Sequence, residues 1–310
     1  MSEVPPARMD GAARWPADER LPLRHAIVLG AIQGPTELLP VSSSGHLAIV
    51  PAMLGWRYRE LDPEIRKAFE VALHAGGALA LLIGLRKEVA EYLRSFGHRN
   101  VVTLSLSFAP AAIAALKFER TIERRLGEPV PVAIALLAGS IAMAIADGRP
   151  EERDRKETGI VDALAIGLAQ AFALAPGVSR NGATLTAARW RRFKRADANV
   201  ISRQIALPVI VGASVLKGAR LATRTLPEGV GSGMAAGAAA AFGSTLVSLR
   251  LITMLERSRS LRPYAAYRAG LAVTALVAIG RRARARSRRS ELESRSGRTD
   301  RATVSTSIPA

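Results

Sequence analysis

The stretch GPTELLPVSSSGH, Gly34–His46, interrupts an apolar run that extends over His25–Leu54. It puts two prolines, a carboxylate, three consecutive hydroxyls and an imidazole between two short apolar arms. A second stretch, APGVSRNGAT at Ala175–Thr184, interrupts the apolar run Ile160–Arg189 in the same way. Loop-like backbone at membrane depth is tolerated only where protein or a wet cavity surrounds it. Each segment therefore reads as a re-entrant helical hairpin, not as a membrane span.

Outward from these two breaks lie six uninterrupted apolar segments, Phe69–Leu85, Val101–Leu116, Val130–Ala146, Gln204–Leu221, Gly231–Leu249 and Tyr264–Gly280. Several fall slightly short of the ~20 residues that cross a bilayer core, so their amphipathic flanks must complete the crossing. Small residues crowd Gly233–Ser244, which suits close helix packing in lipid. The order is one broken hairpin and three spans, then the same again. Three crossings per half make the second half inverted relative to the first, and in such repeats the broken helices mark the binding site. The expected fold is all-α: a polytopic membrane helix bundle of about six transmembrane helices plus two re-entrant hairpins, arranged as an inverted repeat. The membrane-embedded domain runs over 23–280, with halves at about 23–147 and 160–280. Residues 1–22 read as a disordered lead-in without the apolar core of a signal peptide, and 281–310 as a basic disordered tail.

Composition agrees with a membrane protein. Hydrophobic residues make up 49% of the 310 residues and mean hydropathy is positive although 23% are charged. Those figures are compatible only because the charges are segregated into connectors and tails. The absence of cysteine excludes disulfides, thiolate zinc sites and thiol nucleophiles. Net charge is +18, and the tail from Arg281 carries nine arginines against three acids. Basic connectors beside membrane helices face anionic lipid headgroups, so no nucleic-acid partner is expected. The arginines of the tail favour a cytoplasmic C-terminus, whereas the basic run Arg189–Arg195 opposes that orientation, and the sidedness stays open.

The polar residues inside the apolar regions carry the chemistry. The first hairpin holds Gln33, Glu37, Ser42, Ser43, Ser44 and His46, and Gln33 and Glu37 share a face if the arm is helical. An ionisable residue at membrane depth marks a functional site or a paired partner by default; the plainer reading of Glu37 is a headgroup-level carboxylate. The second hairpin holds Ser179, Arg180, Asn181 and Thr184 among glycines. Free backbone N–H groups there can face an anion, and the Arg180 fork matches phosphate oxygens; the plainer reading is a helix break with a snorkelling arginine. Together the clusters supply a nucleophile, an acid or base, and positive charge, the requirements of phosphoryl transfer. Glu37 also offers a hard oxygen ligand for Mg²⁺ or Ca²⁺. Glu70 and His74 lie one turn apart and fit either a helix-end pair or support of the site. His25 and His98 carry no specific signal. Arg268, Tyr264 and Tyr267 read as snorkelling and interfacial anchors.

The two stretches QGPTELLPVSSSGHL (Gln33–Leu47) and APGVSRNGAT, with FEVALHAGGALALL (Phe69–Leu82) between them, resemble the signatures of the undecaprenyl-diphosphatase (bacitracin-resistance) family. In span order the resemblance covers about Leu23–Gly280. It implies hydrolysis of undecaprenyl diphosphate to the monophosphate and inorganic phosphate, which recycles the lipid carrier for peptidoglycan synthesis and confers bacitracin resistance. It further implies a plasma-membrane location, a polyprenyl diphosphate substrate among membrane lipids, and a divalent cation. A homodimer is compatible with the sequence, which leaves the oligomeric state open. Carried over by position, the catalytic residues are Glu37, Ser43, His46 and Arg180. Ser43 is the candidate nucleophile with His46 as its proton partner, and attack by a water that Glu37 or His46 directs is the alternative that stays open. Gln33, Ser42, Ser44, Ser179, Asn181 and Thr184 would bind substrate. Gln33 stands where many relatives carry Glu, so Glu37 alone must serve as the metal carboxylate, and Asn181 replaces a frequent Ser.

Two other readings compete. A polyprenyl-phosphate flippase would share the inverted-repeat architecture. The other lipid-phosphatase superfamily is echoed by Ser44-Gly45-His46 and Ser179-Arg180, but Thr186 stands where its histidine is needed and Arg149-Pro150 follows the Ser-Gly-His instead of preceding it.

Overall fold

A computed structural model describes residues 21–94, 96–222 and 230–304. Most of the lead-in lies outside these residues. Among the described residues the chain forms twelve α-helices and no strand, apart from an isolated bridge between Arg153 and Phe193.

The first break appears where local chemistry demands it. Helix α1 (Leu23–Leu38) stops because Leu39 precedes Pro40 and is held extended, at φ −87° and ψ 154°. Ser42 then takes a left-handed φ of 77° and caps α2 (Ser43–Leu54), its hydroxyl accepting from the Gly45 N–H at 3.2 Å. Gly55, also left-handed, terminates α2. The second break repeats the device. Helix α7 (Ile160–Phe172) leads into a loop in which Ser179, at φ 70°, caps α8 (Arg180–Trp190) through the Gly182 N–H at 3.1 Å. Val-Ser-x-x-Gly therefore occurs twice, at Val41–Gly45 and at Val178–Gly182, with the same unusual backbone at each serine.

Long helices complete each half. In the first they are α3 (Pro63–Gly84), α5 (His98–Leu126) and α6 (Pro129–Asp147), with the short amphipathic α4 (Arg86–Arg94) between α3 and α5. In the second they are α9 (Arg195–Ala222), α10 (Val230–Ser248) and α12 (Arg262–Val304), with the short α11 (Arg250–Glu256) before α12. Asp62 caps α3 and prolines open α3 and α6, both ordinary start signals.

Four helices are long and apolar enough to cross a membrane: α3, the 100–118 portion of α5, α6 and α10. These match four of the six expected spans. The other two segments are helical within α9 and α12, but Lys217, Arg220 and Arg268 interrupt their apolar runs. The segment from Arg281, expected to be disordered, continues α12 to Val304. Its Arg, Ala, Glu and Leu are good helix formers, and proline is absent until Pro309.

The halves are interlocked. Helix α1 packs against α10 of the other half, and α7 packs against α5. Matching glycines allow these approaches: a Cβ on Gly30 would meet the Gly237 carbonyl at 2.3 Å, and one on Gly167 would meet the Leu106 carbonyl at 2.7 Å. Helices α3 and α9 meet each other, as do α6 and α12. One core gathers Leu29, Leu47, Phe69, Leu73 and Met234, and another gathers Met143, Ile166, Leu185, Phe193 and Ile201. Away from the cores, large apolar side chains such as Leu116 and Val247 are exposed, as expected of surfaces that face lipid.

The basic run Arg189–Arg195, which obscured orientation in the sequence, is largely neutralised. Arg195 Nε donates to Asp147 Oδ1 at 2.7 Å, and the other oxygen of Asp147 accepts from Ser260 Oγ and the Leu261 N–H. Asp162, in the first turn of α7 and outside the four spans, accepts from both Nη atoms of Arg153 at 2.8 Å and from Arg191 Nε at 2.6 Å. Burial opposes its charge, but hydrogen bonds from Arg153, the Gly159 N–H and Arg191 outweigh that and hold its carboxyl at about 2. The folded value lies below the ordinary 3.8, so this stabilisation is complete above that value and is lost as pH falls towards 2. Asp162→Asn is expected to lower Tm in detergent by roughly 5 °C at neutral pH. The gap to the parent should shrink as the pH is taken below 3.8. Melting curves with the same gap at both ends of that range would exclude a role for the Asp162 charge.

Candidate active site

The two loops bring their polar residues to one point. Glu37, the penultimate residue of α1, is the centre, with its side chain 9% exposed. Its Oε2 accepts from Ser43 Oγ at 2.7 Å and from Gln33 Nε2 at 3.3 Å. Its Oε1 accepts from Arg180 Nη2 at 2.9 Å, across 143 residues of sequence. Ser43 and Arg180 each follow the capping serine of their loop, so the repeated turn delivers a hydroxyl from one half and a guanidinium from the other. Each is the first residue of its helix, α2 or α8, where the helix dipole is positive.

Further contacts fasten the loops together. Asn181 Nδ2 donates to the Leu38 carbonyl at 2.9 Å, and Asn181 Oδ1 accepts from Ser202 Oγ on α9 at 2.9 Å. The Gly177 N–H points at Ser44 Oγ at 3.4 Å. Beside this cluster opens a cavity of about 400 Å³. Glu37, Ser43, Arg180, Asn181 and His74 are at its polar part, and Leu81, Leu85, Ile252 and Leu255 line an apolar part.

Several expected site residues have other duties. Ser42 and Ser179 line the cavity, but their hydroxyls cap α2 and α8. Thr184 is buried and bonds to Ser202 Oγ and to the Arg180 and Asn181 carbonyls, away from the cavity lining. His46, expected beside Ser43, is buried off the cavity. One ring nitrogen meets the Ser42 carbonyl at 2.7 Å and the other meets the Tyr267 hydroxyl at 2.8 Å. The reason is helical geometry: His46 lies three residues after Ser43 in α2, and its ring folds back over the preceding turn onto the loop. The side chain that accepts a hydrogen bond from Ser43 Oγ is Glu37.

Other residues gain a place at the site. His74 of α3 lines the cavity, with Nε2 3.7 Å from Glu37 Oε2 and Nδ1 2.7 Å from the Glu70 carbonyl. Arg268 of α12, read from the sequence as a snorkelling residue, is instead fully buried against both loops, while Tyr267 is half exposed and its hydroxyl meets His46. A charge inside an apolar helix was the signal for Arg268. Arg203 of α9 also lines the cavity and pairs with Glu88 at 3.1 Å and with Glu256.

A divalent cation can be tested against this donor set. Among the described residues no group of three metal-ligating side chains converges. Glu37 is a hard carboxylate on the cavity, and beside it Gln33 Oε1 is a buried oxygen without a hydrogen-bond partner. The set fits a cation that takes most of its ligands from a phosphate-bearing substrate and water.

The family model described as "Bacitracin resistance protein BacA" matches residues 26–274, which contain the whole of this arrangement. The chain is 35% identical to the undecaprenyl-diphosphatase of Pelobacter propionicus over 83% of its own length and 98% of the relative. It is 39% identical to the undecaprenyl-diphosphatase of Geobacter sulfurreducens over 82% and 98%, and 32% identical to that of Mycobacterium avium over 78% and 92%. With the match spanning both loops and the helices that carry them, the chain belongs to the BacA bacitracin-resistance family.

Proposed function

We propose that this protein is an undecaprenyl-diphosphatase, a phosphoric anhydride hydrolase that releases inorganic phosphate and leaves undecaprenyl phosphate for peptidoglycan synthesis. The observation that carries the mechanism is the Ser43–Glu37–Arg180 contact beside a cavity with polar and apolar parts. The name shared by the relatives supports the substrate, and the apolar side chains Leu81, Leu85, Ile252 and Leu255 suit the start of a polyprenyl chain. No observation favours the flippase reading.

Ser43 Oγ attacks the terminal phosphorus while its proton passes to Glu37 Oε2, the acceptor already 2.7 Å away. The bridging P–O bond breaks and undecaprenyl phosphate departs, its leaving oxygen taking the proton from Glu37. Water then attacks the phosphoserine, giving a proton to the freed Glu37 carboxylate, and the Ser43 oxygen leaves and takes that proton back from Glu37. Arg180 stabilises the charge on the phosphoryl oxygens, aided by the helix N-termini that carry Ser43 and Arg180. Mg²⁺ or Ca²⁺ would be held by Glu37 with the Gln33 carbonyl oxygen, and when bound it would neutralise charge on the diphosphate.

The membrane arrangement we propose is six spans with two re-entrant hairpins as an inverted repeat in the plasma membrane. It is supported by the doubled Val-Ser-x-x-Gly loops and by the crossed packing of α1 on α10 and α7 on α5. The breaks then meet within the bilayer, where both loops are surrounded by protein.

Purified protein in detergent should release phosphate from undecaprenyl diphosphate. Ser43→Ala should reduce kcat by about 1,000-fold or more, since among the described residues no other hydroxyl donates to Glu37. Arg180→Lys should cost about 100-fold despite keeping the charge, because a point charge replaces the planar fork. Turnover within a factor of three of the parent in Ser43→Ala would remove the covalent step. Excess chelator should abolish turnover and added Mg²⁺ or Ca²⁺ should restore it; full activity in chelator would remove the cation from the reaction.

A further inference from the structure

Arg268 is one of two fully buried arginines among the described residues, and the one that lies against both loops. It lies within an apolar stretch of α12 and is 0% exposed. No carboxylate pairs with it among the described residues. Its guanidinium instead faces backbone carbonyls: Nη1 donates to Pro40 O at 3.3 Å, and Nη2 donates to Gly177 O at 3.3 Å and Val178 O at 2.7 Å. Pro40 belongs to the first loop, Gly177 and Val178 to the second.

The two Val-Ser-x-x-Gly loops give these contacts a meaning. Pro40 lies two residues before Ser42, and Gly177 lies two residues before Ser179. One side chain thus binds the equivalent carbonyl of each half. The loops emerge from helix pairs that pack on different partners, so their relative register is not set by either half alone. A planar fork can hold two separate carbonyl directions at once, which an ammonium on a flexible stem does poorly. Room for the fork is built in: a Cβ on Gly139 of α6 would stand 2.3 Å from Nη2, and one on Gly182 of α8 would stand 2.5 Å from Nη1.

We infer that Arg268 is the positioning residue of the phosphate site. It fixes the two loops against each other so that Ser43 and Arg180 converge on Glu37, and it does so from behind, outside the cavity lining. Burying an arginine without a counter-ion is costly, and joining the loops is what that cost secures. This inference rests on the diphosphatase reading for its kinetic test but not for its geometric one.

The kinetic test compares parent, Arg268→Lys and Gly139→Ala, each as full-length protein in detergent. Arg268→Lys keeps the charge and loses the fork; Gly139→Ala keeps the arginine and displaces its guanidinium. A positioning role lowers kcat by about 100-fold in Arg268→Lys with KM changed less than about threefold. A smaller fall of kcat in the same direction is expected for Gly139→Ala. Parent-like kcat per folded molecule with only a lowered Tm would reduce Arg268 to a stability element and overturn the inference. A rise in KM alone would make it a direct substrate ligand and overturn it equally. If Arg268→Lys does not fold, the Gly139→Ala kinetics decide.

The geometric test uses the absence of native cysteine. Nitroxides on Leu39→Cys and Ala175→Cys report the distance between the loops by pulsed electron resonance. A single narrow distance with Arg268 should become broader or longer in Arg268→Lys, and an unchanged distribution overturns the inference. Absence of phosphate release by the parent would instead refute the diphosphatase reading, and the distance measurement would still decide the role of Arg268.

Discussion

The contact on which the site depends is the pair of Glu37 and Arg180, 2.9 Å apart and drawn from opposite halves of the chain. A carboxylate this enclosed is expensive unless it is paired and hydrogen-bonded, and Glu37 is both. Its two oxygens take up Arg180 on one side and Ser43 with Gln33 on the other, so each loop supplies part of its compensation. The same pairing that makes the carboxylate tolerable makes it a base beside a serine hydroxyl.

That dependence explains why the halves exchange partners. The first helix pair is held by α10 and the second by α5, so separating the halves would strip each pair of the helix it packs against. Close packing at Gly30 and Gly167 sets the depth of each pair, and the serine caps set the direction of the helix that follows. The doubled loop then differs where the chemistry needs it to differ. Equivalent positions after the cap carry Ser43 in one half and Arg180 in the other, which turns near-symmetric scaffolding into an asymmetric site.

Much of this was legible in the sequence because membrane burial leaves few reasons for polar residues. The two breaks, the helical class and the two polar clusters that hold Glu37, Ser43 and Arg180 followed from prolines, glycines and charges inside apolar runs, while the choice of Ser43 among three serines rested on resemblance to the family. Direction of side chains was not legible. Ser42, Ser179 and Thr184 have the composition of a phosphate cradle, yet the first two also accept helix-capping N–H groups and the third bonds to neighbouring carbonyl and hydroxyl groups. His46 and His74 could not be ranked without knowing that α2 turns one imidazole to Tyr267 while α3 turns the other towards Glu37. Arg268 was visible as a charge in a span, but its partners are backbone carbonyls, which carry no residue identity for a sequence to display.

Gln33 shows how the charge of the site is balanced. A carboxylate there would stand one helical turn from Glu37, where like charges repel. The amide instead donates to Glu37 Oε2 at 3.3 Å, so the site holds one negative charge against Arg180. Arg268, behind the loops and paired with carbonyl dipoles, adds a positive charge that no described side chain cancels. The helix N-termini beneath Ser43 and Arg180 contribute in the same sense. The resting site is therefore short of negative charge, and a diphosphate supplies it. Electrostatic need and chemical task coincide, because the anion that best neutralises the loops is also the group placed against the Ser43 hydroxyl.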